Sequence, residues 1–199
     1  MPFGRAYSPL TNRAQAPSSP FMERLAESFI LPAGPGDSLG LAQVHVQSWR
    51  ETYPGLLPAD YLERMSVPLY ARRWRHQLTR ARPTELVLAA EGPDGLIGYC
   101  AGAFDLEVSP RAEVFTLYLL RDAQGFGLGR RLLQNAARVF HGQGAASLVL
   151  WVLADNDRAR RFYAHLGGEP VAERAVRGWG GGLTEVRYDW CDIGGLAVH

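Results

Sequence analysis

The chain has 199 residues, 47% of them hydrophobic and 21% charged, with a formal net charge of +1. That length suffices for one domain with a real core, and the near-neutral balance excludes the concentrated basic face of a nucleic-acid binder. The two cysteines are too far apart for a metal spacing or a disulfide framework, and no apolar run approaches the ~18 residues of a membrane span. Cys100 and Cys191 both read as small buried residues in strands. The compartment this implies is reducing. The N-terminus lacks the charged-then-apolar order of a signal peptide, so a cytoplasmic location is expected. All 21 basic residues are arginine, a compositional habit that nothing in a fold demands.

Residues 1–21 are rich in Pro, Ser and small polar residues and show no periodicity. They are expected to form a flexible tail before a single domain over 22–199, with Met22 as an alternative start. A short strand is expected over 27–31, ended by Pro32 and the Gly34-Pro35-Gly36 turn. Asp37 is the expected N-cap of a helix over 38–52, with Leu41, Val44, His45, Ser48 and Trp49 on one face. Pro54-Gly55 ends that helix. Pro58 opens a short helix with Leu62 and Met65 inward, and a third helix over 68–80 carries Leu69, Trp74 and Leu78. Strands over 84–91 and 96–108 form a hairpin across Gly92-Pro93-Asp94-Gly95, with Gly98 and Gly102 marking bulges.

A buried strand over 112–120 comes next, then a glycine-rich turn. The helix after it places Leu132, Leu133, Ala136, Ala137 and Phe140 on one stripe. SLVLWVL over 147–153 reads as a buried strand. Asn156 starts a helix with Ala159, Phe162, Tyr163 and Leu166 at i, i+3, i+4, i+7, stopped by Gly167-Gly168 and Pro170. Strands over 170–176 and 183–190, joined by a glycine-rich loop around Trp179, finish the chain. This order predicts an α/β (α+β) fold, a mixed, mostly antiparallel sheet of about seven strands with helices on both faces.

A strand, a glycine-rich turn and a helix N-terminus make a phosphate cradle. Glycine lets the backbone approach an anion, and the unpaired N–H groups and dipole of the helix attract it. The spacing narrows the choice. A dinucleotide fingerprint fails, because Arg130 stands where the third glycine belongs and no acidic residue follows at the right distance. A P-loop fails for want of any lysine. Gln124-Gly125-Phe126-Gly127-Leu128-Gly129 does fit [QR]-x-x-G-x-[GA], and between strand and helix it resembles the pyrophosphate loop of the GCN5-related N-acetyltransferase (GNAT) superfamily. The order of elements is similar too, over about 29–196. The segment SWRETYPGLLPADYL resembles a subset of that superfamily.

The resemblance implies acetyl-CoA as co-substrate, no metal, and transfer of an acetyl or other acyl group to a primary amine. The acceptor is then a small molecule or a peptide or protein amine, with no nucleic acid or membrane partner and with a homodimer left open. The pyrophosphate would lie on Gln124, Gly125, Phe126, Gly127, Leu128, Gly129 and Arg130. Family members often carry a basic residue where Phe126 stands, so Arg130 or Arg131 is expected to compensate. By match, Leu117, Tyr118 and Leu119 would bond the pantetheine arm and polarise the thioester carbonyl, and Asn156 would reach the same arm. Asn156, Ala159 and Tyr163 meet the family's Asn-x-x-Ala-x-x-x-Tyr spacing. A phenol of pKa about 10 makes Tyr163 the candidate acid for the leaving thiolate.

An amine of pKa about 10.4 must lose a proton before it attacks. Glu113, eleven residues before Gln124, has the spacing of the catalytic glutamate in the histone-acetyltransferase branch. Asp105 and Glu107 are alternatives, and His45 reads as core or wall. Trp49 and Tyr53 sit at i and i+4 at a helix end and are the expected acceptor wall. A non-catalytic acyl-CoA sensor and a nucleotide-binding domain are the competing readings.

Overall fold

A computed structural model describes residues 28–105, 107, 109–176 and 182–198. The expected tail, the loop around Trp179, Leu106 and Val108 lie outside the described residues. The strands are β1 (Phe29–Pro32), β2 (Glu85–Gly92), β3 (Gly95–Ala103), β4 (Arg111–Leu119), β5 (Ser147–Leu153), β6 (Glu169–Ala175) and β7 (Thr184–Trp190). The helices are α1 (Ser38–Thr52), α2 (Ala59–Arg64), α3 (Val67–Thr79), α4 (Leu128–Gly142), α5 (Asp157–His165) and α6 (Ile193–Val198). The sheet has seven strands in the order β1-β2-β3-β4-β5-β7-β6. β4 and β5 are parallel, and the other neighbours are antiparallel. The expected mixed sheet is the one formed.

Alternation along the strands sends side chains to two cores. Val87, Ala89, Tyr99 and Ala101 face Leu41, Ala42 and Val44 of α1 and Trp74 of α3. Leu88, Ala90, Cys100, Ala112 and Val114 face the opposite way, onto the α4 stripe of Leu132, Leu133, Ala136, Ala137 and Phe140. That stripe is buried, as its period requires. Helices therefore cover both faces.

Several local expectations are corrected. Asp37 makes no side-chain cap on α1. Its carboxylate instead accepts the Gly34 N–H at 2.8 Å, closing a 3-10 turn over Pro35–Asp37. β3 stops at Ala103 because the Asp105 carboxylate accepts the Glu107 N–H at 3.1 Å and turns the chain. Leu69 is 37% exposed, although Trp74 of the same helix is buried. Cys191 is exposed, since it follows the last strand instead of lying within it. Cys100 is buried as expected, and burial pushes its thiol up to about 12. Helix α6 has no counterpart in the expected order.

Candidate active site

The ladder between β4 and β5 runs from Arg111↔Ser147 to Val114↔Leu150 and then ends. Just there β4 carries an extra residue against β3, because Ala101 pairs with Thr116 and Gly102 with Val114. That bulge, at Phe115, turns β4 away from β5. Beyond it β4 keeps a partner only on the β3 side. Leu120 N–H donates to Ile97 O at 2.9 Å, so by alternation the backbone groups of Leu117 and Leu119 point away from β3, into the gap. Gln124 Nε2 donates to Leu119 O at 2.9 Å. Leu117 N–H, Leu117 C=O and Leu119 N–H remain available to a ligand strand.

The gap opens into a cleft of about 750 Å³. At one end Gly125 and Gly127 hold φ of 90° and 79°, and a Cβ at either would meet nothing within 4 Å. Backbone in this region favours glycine, and the space over the loop is open to a bulky anion. Gly127 is the N-cap of α4, whose first turn contains no acidic residue, so its free N–H groups and dipole face the same space. Gly129 serves packing: a Cβ there would come within 3.2 Å of the Phe162 ring and 3.3 Å of Leu119.

Of the expected loop residues, Gln124, Gly125, Gly127, Gly129 and Arg130 line the cleft. The Leu128 side chain is buried in the core and the Phe126 side chain is 44% exposed, and neither lines the cleft. Leu128 can act only through its backbone N–H group. Of the two arginines expected to compensate for Phe126, Arg130 lines the cleft. The Arg131 guanidinium is instead committed to Ser28, donating to its Oγ at 3.1 Å and its carbonyl at 2.9 Å. Arg158 and His165 of α5 also line the cleft and were missed. Only their place on the same helix as Asn156 and Tyr163 could have flagged them.

Leu117, Tyr118, Leu119, Asn156 and Tyr163 all line the middle of the cleft. Asn156 caps α5, with Oδ1 accepting the Ala159 N–H at 3.2 Å, which leaves its NH2 for a ligand. Tyr163 is 7% exposed, and its ring lies against Phe162, Tyr188 and Trp190. Its hydroxyl has no hydrogen-bond partner among the described residues, and burial raises its pKa further above that of a free phenol. It therefore stays protonated at neutral pH. Ser48 Oγ, also on the cleft wall, is buried without a partner among the described residues. A polar ligand atom would remove that cost.

At the far end Trp49 and Tyr53 line the cleft with ring centroids 5.1 Å apart at 73°. The adjoining turn is fixed by Glu51 of α1, whose Oε2 accepts the Arg121 N–H at 2.9 Å while its carbonyl accepts Arg121 Nη2 at 2.8 Å. His45 is a core residue. Its Nδ1 pairs with Tyr99 Oη at 2.7 Å, and burial, then the Arg73 charge, lower its pKa to about 4. Glu113 is half-buried and paired with Ala103 and Val149, one residue before the first cleft residue of β4. Asp105 and Glu107 are also outside the cleft lining. Among the described residues no group of three or more His, Cys, Asp or Glu is placed to hold a metal, and no helix is long and apolar enough to cross a membrane.

The profile described as "Acetyltransferase (GNAT) family" matches residues 45–167. The uncharacterized N-acetyltransferase YuaI of Bacillus subtilis (strain 168) is 30% identical over 80% of this chain and 91% of its own length. The PaiA N-acetyltransferase from Thermoplasma acidophilum, solved in complex with coenzyme A, aligns with TM-score 0.68 and 22% identity over 82% of this chain and 98% of that one. YncA from Salmonella typhimurium, solved with its cofactor acetyl-CoA, aligns with TM-score 0.62 and 19% identity over 83% of this chain and 94% of that one. The anion cradle, the splayed strands and these likenesses agree: the chain belongs to the acetyltransferase (GNAT) family, the acetyl-CoA-dependent N-acetyltransferases.

Proposed function

We propose that this enzyme transfers the acetyl group to a primary amine by direct attack within a ternary complex. The observation that carries this reading is one continuous cleft. It runs from the N-terminus of α4, past the free backbone of β4 and Tyr163, to Trp49 and Tyr53. Acetyl-CoA supplies the acetyl group already activated as a thioester. The N–H groups of the loop and of α4, with Arg130, would hold its pyrophosphate. Leu117, Tyr118, Leu119 and Asn156 would orient the pantetheine arm, and a free N–H on β4 would polarise the carbonyl. Tyr163 Oη keeps its proton and can give it to a departing thiolate.

Glu113 is the candidate base, reaching the amine through water. It lies on the sheet face opposite α4, two residues before the bulge, and its spacing to Gln124 supports the role. The acceptor is a small-molecule or peptide amine, met in the cytoplasm. A non-catalytic sensor would need the loop but not a buried, unpartnered phenol beside the pantetheine path, so turnover is favoured. Thiol release from acetyl-CoA in the presence of a panel of amines tests the reading. With the amine that turns over, Glu113→Gln should lower kcat by ~10²-fold and leave acetyl-CoA affinity unchanged. Full activity in that variant would move the base elsewhere. No thiol release with any amine, despite CoA binding, would favour the sensor.

A further inference from the structure

The charges lining the cleft differ between its two ends. Arg130 and His165 stand together at the α4–α5 end, where an anion fits. The opposite end is walled by Trp49, Tyr53, Leu57, Trp151 and Leu183, and the charged residues lining it are Glu51, Arg121 and Glu185. Glu51 and Arg121 are engaged locally: Glu51 Oε2 accepts the Arg121 backbone N–H, Glu51 Oε1 accepts Gln47 Nε2, and Arg121 Nη2 donates to the Glu51 carbonyl. Glu185 is on β7, directly opposite Leu153 of β5, and it lines the same cleft as Tyr53, whose phenol is pushed up by burial first and, to a smaller extent, by the Glu185 charge.

Arg174 faces Glu185 from β6, and both of its contacts fall on one oxygen, Oε2, at 2.9 Å from Nε and from Nη2. Oε1 has no partner among the described residues. The Arg174 guanidinium itself lies over the Trp151 ring, with Cζ 3.9 Å from its centroid, and is not part of the cleft wall. Arg187, also near Trp151, is held by Asp189 at 2.8 and 3.1 Å. The cleft is therefore lined here by the Glu185 carboxylate and by aromatic side chains, and the two guanidinium groups are not part of its lining. Aromatic faces and a carboxylate together attract cations.

We propose that Glu185 is the acceptor-docking carboxylate, and that it selects a cationic amine carried on an apolar or aromatic stem. This rests on the acetyl-transfer reading and adds the class of acceptor. Glu185 is not a second candidate for the role given to Glu113. Glu113 is level with Val149 and Glu185 with Leu153, so they are four residues, about 13 Å, apart along β5. Glu185 recognises the charge of the incoming acceptor at the mouth.

The test titrates the full chain, saturated with CoA, with 2-phenylethylamine, its neutral analogue 2-phenylethanol and the anion 3-phenylpropionate. Tryptophan fluorescence reports binding, since Trp49 and Trp151 line the site. The amine should bind with a Kd on the order of 10 mM or tighter, roughly 10-fold better than the alcohol. Glu185→Gln should abolish that preference and leave the alcohol and CoA affinities alone. Arg174→Gln should tighten the amine, because the carboxylate loses its competitor. Amine binding no better than that of the alcohol or the acid, undetectable amine binding, or a preference that survives Glu185→Gln would overturn the proposal. So would loss of 3-phenylpropionate binding in Arg174→Gln, which would mean that the mouth reads anions. Failure of CoA to bind would sink the acetyl-transfer reading instead, and the amine titration without CoA would still judge Glu185.

Discussion

Replacing Gly127 with alanine separates the anion cradle from the fold, because the two effects have different sizes and different controls. Gly127 has φ of 79°, and a Cβ there would touch nothing within 4 Å. The folded chain therefore suffers only the left-handed backbone penalty, about 1–2 kcal/mol for a residue with a side chain. For a chain of this size that lowers Tm by about 2–8 °C. The methyl group would, however, occupy the space in which an anion must approach the N–H groups of α4. Losing one charge-assisted hydrogen bond costs about 1.5–3 kcal/mol, a roughly 10- to 150-fold loss of affinity. Gly144 supplies the control. It has φ of 103° and lies just beyond the far end of the 15-residue helix α4, some ~22 Å away. Gly144→Ala should also lower Tm, through its positive φ, and leave CoA affinity alone. Calorimetric titration with CoA and thermal unfolding of the same samples read both quantities. If CoA binds Gly127→Ala as tightly as Gly144→Ala, the loop is a structural turn and the cradle assignment is wrong.

Tyr163→Phe removes the hydroxyl but keeps the packing against Phe162, Tyr188 and Trp190. Its kcat should fall by ~10²-fold with CoA affinity unchanged, and full turnover would return Tyr163 to a packing role. His45 binds its proton at about 6.5 when unfolded but only at about 4 in the fold. Its contribution is thus fully present above pH ~6.5 and is lost as pH falls toward ~4, a difference on the order of 3 kcal/mol. Urea unfolding across that range should show a steeper loss in the wild type than in His45→Gln, and equal slopes would contradict the burial argument. Gly168→Ala would bring a Cβ within 2.6 Å of the Trp190 ring, which is pinned by its 2.8 Å bond from Nε1 to Leu166 O. Overpacking of about 1–3 kcal/mol should follow in urea unfolding, and a neutral result would mean that the ring moves freely.

What could be read from the sequence was whatever a single element encodes by itself. The α4 stripe, the glycine loop and the shared face of Asn156 and Tyr163 depend only on helical period and turn chemistry, and each is where it was expected. Gly102 marked the place of the bulge, but that the extra residue is Phe115 of β4 was not legible, because a strand shows its extra residue only against a partner, here Ala101 and Gly102 of β3. The same limit hid Glu185. Its membership of the cleft is decided by the antiparallel register of β7 on β5, and shifting that register by one residue would turn the carboxylate to the other face. The Glu51–Arg121 clasp joins residues 70 positions apart, beyond any local pattern. Spacing from Gln124 could therefore nominate Glu113 but could not compare it with Glu185. That comparison needs both distances measured along β5, and these put one carboxylate where the strands are still paired and the other where they have parted.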